Sequence, residues 1–169
     1  MMAWVTESPN WVNGRRTTLA FRFLSAMQGG LGIGTNLNKW TDNEFAIARR
    51  YVETYKRIRT TVQTGALYRL NRPSDADARW TTLYVAPDRR QAALFTLVGS
   101  THKLDTMAAI ALRGLDAEAR YRIETMDGQP LPATVPERAS GAYWMRHGVD
   151  VTLRGDFQGM GFVLTRVGD

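Results

Sequence analysis

The 169-residue sequence contains no cysteine, which removes disulfide frameworks and thiolate chemistry together. It has two histidines, His102 and His147, far apart in the chain. They cannot assemble a zinc-type ligand set, and neither has a serine or acid at a spacing that suggests a hydrolytic triad. No apolar run approaches the roughly 20 residues that span a bilayer. The amino-terminal residues lack the basic start and cleavage site of a signal peptide. If that start is internal, the lack says nothing about the parent's compartment. There is also no internal repeat and no low-complexity tract. No metal, no cofactor and no membrane partner is expected.

Hydrophobic residues make up 44% of the chain and charged residues 22%, enough for a core and too ordered a composition for a disordered tail. The net charge is +6. Residues 1–64 hold nine Lys/Arg against four Asp/Glu, and residues 65–169 hold thirteen against twelve. The excess therefore sits around Arg49, Arg50, Lys56, Arg57 and Arg59. On a helix these spread over the face opposite the apolar one, as a solvated face does. No aromatics interleave with them and no nucleic-acid motif accompanies them, so no nucleic acid is expected.

The first sixteen residues organise the rest. Residues 2–6 are continuously apolar, as in a strand covered on both faces, and Ser8, Pro9, Asn10, Asn13 and Gly14 read as a loop. A helix follows over 17–27, with Leu19, Phe23 and Met27 on one stripe. Strand, loop and helix form one step of a β/α repeat, which needs parallel neighbours. Nothing downstream is expected to supply them, so the chain reads as opening in the middle of a domain. Gln28 to Gly34 is glycine-rich, but it follows a helix rather than a strand, so it reads as a turn with close backbone packing and not as a phosphate loop.

Thr41-Asp42-Asn43-Glu44 is a capping box. The helix it starts carries Phe45, Ala48, Val52, Tyr55, Ile58 and Val62 on a stripe and an expected Glu53–Arg57 pair. Gly65 ends it after about 22 residues, roughly 33 Å. From residue 66 the period becomes two. Strands are expected at 66–72, 79–86, 91–99, 107–113, 120–126, 142–146, 149–154 and 160–167, broken by turn chemistry at Pro87-Asp88, Gly114 to Asp116, Asp127-Gly128 and Gly155-Asp156. Eight short strands without helices point to an antiparallel sandwich, with 129–139 as a proline-rich loop. Asp75, Asp77 and Asp88 fall in expected loops and read as solvated. Trp80, Tyr143 and Trp144 read either as a sugar-stacking platform or, more commonly for such residues, as core or domain interface.

The run Met1-Met2-Ala3-Trp4-Val5-Thr6-Glu7-Ser8-Pro9-Asn10, with Gly14-Arg15 after it, resembles the segment of glycoside hydrolase family 36 that follows the acid/base aspartate. The family contains the large bacterial α-galactosidases. The likeness continues from Leu19 to Leu70 and weakens. It returns in Arg113-Gly114-Leu115-Asp116, in Ser140-Gly141 and in Leu153-Arg154-Gly155-Asp156-Phe157-Gln158.

The resemblance implies an α+β fragment. Residues 1–65 would be the carboxyl-terminal end of a (β/α)8 barrel, with the opening strand as its eighth, and residues 66–169 a closing β-sandwich. It also implies a retaining two-carboxylate mechanism whose aspartates lie upstream, so this chain alone should hydrolyse nothing. Trp4, Glu7 and Asn10, with Trp11 beside them, would line the sugar pocket, since indoles stack on pyranose faces and amides and carboxylates bind hydroxyls. Trp4 reads equally as a barrel-core side chain, and Glu7 as a solvated or capping acid. Many family members carry histidine where Trp4 and Trp11 stand, which leaves the fine sugar preference open.

The implied partners are α-galactoside oligosaccharides such as melibiose or raffinose, bound by the complete enzyme, and the missing amino-terminal part of the same polypeptide. A homo-oligomer and a cytoplasmic setting belong to the same expectation. Related members transfer galactosyl groups or act on N-acetylgalactosaminides. The competing class is a stand-alone β-sandwich that binds glycans or another protein.

Overall fold

The computed structural model describes residues 2–71, 73, 74, 77–100 and 107–168. Asp75 and His102 lie outside them. The chain opens with strand β1 (Met2–Val5), helix α1 (Leu19–Ala26) and strand β2 (Gly30–Ile33), followed by helix α2 (Asp42–Thr64). Strands β3 (Ala66–Arg69), β4 (Arg79–Val85), β5 (Gln91–Val98), β6 (Arg120–Thr125) and β7 (Arg138–Ser140) come next, then helix α3 (Gly141–Arg146) and strand β8 (Gln158–Val167).

The first sheet corrects an expectation. β1 does have a parallel neighbour within this chain: β2 pairs with it, Met2 opposite Gly30 and Trp4 opposite Gly32. The glycines that argued for a turn are what let this strand form. A Cβ on Gly32 would lie 2.6 Å from Cε3 of the Trp4 indole, so only glycine allows the ring to rest on the strand. β2 is further held by Tyr55 of α2, whose hydroxyl accepts from Leu31 N–H at 3.2 Å and donates to Gly29 C=O at 2.7 Å. Nor is β1 covered on both faces. Val5 is fully buried toward α1, whereas Met2 and Trp4, on the other face, are 66% and 55% exposed.

α2 starts as its sequence demands. Thr41 Oγ accepts from Glu44 N–H, and the Glu44 carboxylate accepts from Thr41 N–H, satisfying open donors of the first turn. The expected Glu53–Arg57 pair is replaced by two others. Glu53 meets Lys56 at 2.9 Å, and Arg57 reaches across to Glu124 of β6 at 2.6 Å.

The remaining strands form one antiparallel six-stranded sheet in the order β3-β4-β5-β8-β6-β7. Alternation along β5 sorts its side chains between two cores. Ala93, Phe95 and Leu97 join Leu19, Phe23, Leu24, Ile58 and Val62 of the helices. Ala92, Leu94 and Val98 face the other way, onto Ile110, Leu112, Trp144, Val149 and Val151. Each fully buried aromatic or branched side chain in these layers is worth about 1.5–3 kcal/mol of transfer free energy.

The second core corrects the sandwich expectation. Among the described residues its cover is not a second sheet. The alternating stretches expected as strands at 107–113 and 149–154 touch through a single bridge, Ile110 to Val149. Residues 142–146, also expected as a strand, lie within α3, whose amino end is capped by Ser140 Oγ accepting from Tyr143 N–H. Gly141 must be glycine there, because a Cβ would fall 1.9 Å from the Asp116 carbonyl oxygen. The Arg113–Asp116 and Ser140-Gly141 stretches are thus one joint.

Candidate functional site

Two loops leave the carboxyl ends of the parallel strands β1 and β2 and meet over a cavity of about 340 Å³. It is lined by Glu7, Ser8 and Pro9 from the first loop, Thr35, Asn36, Lys39 and Trp40 from the second, and Arg22 and Glu44 from the helices. The first loop is closed by its own hydrogen bonds. Asn10 N–H donates to Arg15 C=O at 2.8 Å, Gly14 N–H to Asn10 C=O at 2.8 Å, and Thr17 N–H to Ser8 Oγ at 3.0 Å. Gly14 takes a positive φ of 67° at the turn. Arg22 of α1 donates from its guanidinium to Thr6 C=O and so fixes the end of β1.

The electrostatics are mixed. Burial pulls the Arg22 guanidinium below its usual value, and nearby Glu44 acts the other way. Hydrogen bonds from the Thr41 backbone and hydroxyl hold the Glu44 carboxyl below the usual carboxylate range. Glu7 stands 3.8 Å from Lys39 Nζ. Each carboxylate therefore already has a partner. The cavity offers two cations, two engaged carboxylates and the Trp40 ring, which together supply hydrogen-bond donors, acceptors and one apolar face.

Of the residues expected here, only Glu7 lines the cavity. Asn10 is half-buried beside it, with its side-chain oxygen accepting from Val12 N–H at 3.0 Å. Trp4 lies on the bare face of β1–β2, against Gly32 and Gly34. Trp11 is 84% exposed at the loop tip. Arg22, Lys39 and Trp40 were not singled out in the sequence. Reading 30–33 as a strand would have found the latter two, since the loop after it must reach the same face as the loop after β1.

The aromatic platform does not form. Trp144 is buried in the core, in edge contact with Tyr143 at 5.3 Å, while Trp80 lies elsewhere on β4, half-exposed beside Gly99. His147 is exposed and packs on Tyr143 at 4.8 Å. Asp88 is exposed in a turn, accepting from Arg90 N–H at 3.0 Å.

Asp77 is not simply solvated. It binds Arg79, which is 1% exposed, through both carboxylate oxygens at 2.8 and 2.7 Å. The same guanidinium donates to Val151 C=O and Ala108 C=O, each at 2.7 Å. This pair ties the irregular cover of the second core to β4. It is a structural ion pair that sequence reading missed.

Among the described residues no three His, Asp or Glu side chains converge as a metal site, and no helix is long and apolar enough to cross a membrane.

Comparison with known proteins finds the glycosyl hydrolase family 36 C-terminal domain over residues 79–164 and the melibiase family over residues 1–65. An α-galactosidase of Lactobacillus acidophilus is 33% identical over 122 residues, 72% of this chain and 16% of its own length. An α-galactosidase of Geobacillus stearothermophilus is 33% identical over 127 residues, 73% of this chain and 17% of its own. This chain thus spans about a sixth of those relatives. The crystal structure of the Geobacillus enzyme matches with a TM-score of 0.85 at 28% identity, covering 99% of this chain and 22% of that one. The α-galactosidase of Lactobacillus brevis matches with a TM-score of 0.85 at 26% identity, over 100% of this chain and 23% of that one. Variants of the Geobacillus enzyme have been solved in complex with raffinose and with stachyose.

Proposed function

This chain belongs to glycosyl hydrolase family 36, and we propose that it is the carboxyl-terminal part of a retaining α-galactosidase. In this reading residues 1–65 close a (β/α)8 barrel, with β1 and β2 as two adjacent staves, and residues 66–169 form the β domain packed on it. The observation that carries it is the bare face of the β1–β2 pair, with Met2 and Trp4 exposed while α1 and α2 cover the opposite face. A barrel supplies parallel neighbours at the outer edges and side chains over the inner face.

The cavity between the two loops lies at the strand ends where barrel enzymes assemble their active sites. Glu7 and Asn10 contact sugar hydroxyls, and Trp4 meets the ring from the inner face. The chemistry belongs to two aspartates in upstream polypeptide, roughly 5–5.5 Å apart. One attacks the anomeric carbon, and the other protonates the leaving oxygen and then activates water. The engaged state of Glu7 and Glu44 supports leaving both outside those roles. The substrates are α-galactosides of the raffinose and stachyose type.

Two assays test this. The chain alone should release no galactose from raffinose. Joined to the upstream part of a family α-galactosidase, in place of that enzyme's own terminal segment, it should restore hydrolysis with retained anomeric configuration, followed by NMR. Galactose release by the chain alone refutes the placement of the aspartates. A folded but inactive fusion refutes the activity, and transfer to a sugar acceptor in preference to water moves the reaction to galactosyl transfer.

A further inference from the structure

We propose that Phe157 is a positioning residue for the loop after β1, so that the β domain sets the placement of Asn10; this rests on the reading that the loop meets substrate. Phe157 immediately precedes β8 and takes a positive φ of 50°, uncommon for a bulky residue. Its N–H donates to Gly99 C=O at 3.1 Å, which anchors it to the sheet. Its ring meets Phe21 of α1 edge-on at 5.7 Å. The Arg15 guanidinium lies over the same ring, 5.1 Å from its centre.

Arg15 is the far limb of the site loop, and its carbonyl accepts the Asn10 N–H. A path of direct contacts therefore runs from β8 through the Phe157 ring to Arg15 and on to Asn10. The loop's internal hydrogen bonds fix its shape, whereas the ring contact fixes where that shape sits on the body. Phe157 falls in the Leu153-to-Gln158 stretch that the sequence singled out without giving it a task. Loop groups that touch non-reacting sugar hydroxyls contribute uniform binding, so misplacing them raises KM and spares kcat.

The experiment is a double-mutant cycle with Phe157→Leu and Arg15→Met in the complete polypeptide that carries this chain, with raffinose as substrate. Each single substitution should raise KM roughly three- to tenfold with kcat within about twofold, as expected for loss of one cation–π contact and its ordering effect. The double variant should be no worse than the single ones, and Phe157→Tyr, which keeps the ring, should retain the native KM. Additive effects, or an unchanged KM with a lowered Tm, overturn the proposal.

If the unsubstituted polypeptide hydrolyses no α-galactoside, the activity reading fails separately. The positioning claim is then decided by a crystal structure of Phe157→Leu, in which Asn10 and the loop around it should be displaced as a unit relative to α1. An unmoved loop refutes it.

Discussion

The two sheets formed by the described residues are built to different degrees of completion. The six-stranded sheet is covered on both faces, and β5 at its middle is buried along almost its whole length. The parallel pair β1–β2 has one face against α1 and α2 and one face bare. A two-stranded sheet is marginal by itself, so its order here is borrowed from the helices, through Val5 packing and the Tyr55 hydroxyl. The same residue type therefore has different energetic weight in the two places.

The largest break in that contrast lies at Arg79. Replacing it with alanine removes the guanidinium that joins Asp77, Val151 and Ala108, so two carbonyls lose their donor while Asp77 keeps, of its bonds to residue 79, only the backbone N–H. Each lost hydrogen bond to a charged group costs about 1.5–3 kcal/mol, which puts the total at about 3–5 kcal/mol. Urea denaturation should show a loss of that size, and a loss below about 1 kcal/mol would remove the pair from the account of the fold.

The next effect is in pH. Hydrogen bonds from Arg79 hold the Asp77 carboxyl below its ordinary value of 3.8. A depressed folded pKa contributes stability that is fully present above the unfolded pKa and is lost as pH falls through the folded one. The Tm gap between the native chain and Asp77→Asn should thus be constant above about pH 4 and narrow toward pH 2. A gap that holds through the whole acid range contradicts the assignment.

A smaller effect belongs to the cap of α2. Thr41→Ala should cost about 1 kcal/mol, the usual worth of an N-cap hydroxyl, because α2 is anchored elsewhere by Ile58 and Val62 and by Thr54 donating to Met126 C=O at 2.8 Å. Chemical denaturation measures it directly. A loss of 3 kcal/mol would mean that the helix depends on its first turn far more than this packing implies.

What could be read in advance follows from which signals are local. Capping at Thr41, the apolar stripe of α1 and the strands at β4, β5, β6 and β8 are all written in neighbouring residues, and they are present. The stripe of α2 is present from Ala48 onward, but Phe45 is exposed and Tyr51, Thr54 and Thr61 share the buried face. Val149, Val151 and Leu153 alternate because alternate side chains enter a core; whether the backbone also joins a ladder depends on partners that alternation does not encode. β2 was hidden because its glycines answer to Trp4, a distant residue. Buried Arg79 was hidden for the same reason. Of the residues lining the cavity, Glu7 was expected through the family resemblance, which puts the loop after β1 at a sugar pocket. Lys39 comes from the loop after β2, which the pairing of β1 with β2 brings near, and Arg22 from α1, whose packing on β1 carries it to Thr6.

The finest test of the contrast compares two residues of β1. Val5 is fully buried against α1, and trimming it to alanine removes two carbons, about 1.6 kcal/mol at ~0.8 kcal/mol per carbon. Trp4 is far larger yet 55% exposed on the bare face, so Trp4→Ala should cost the chain less than about 1 kcal/mol. Side-chain size and stability loss then run in opposite order within one strand. Repeating both substitutions in the complete polypeptide should reverse that order. Once the neighbouring staves close over all but the sugar-facing edge of the Trp4 indole, its removal leaves a cavity worth about 3–5 kcal/mol, while Val5 keeps its value. If Trp4→Ala is already costly in the 169-residue chain, its indole is a core residue here, and the uncovered stave loses its main support.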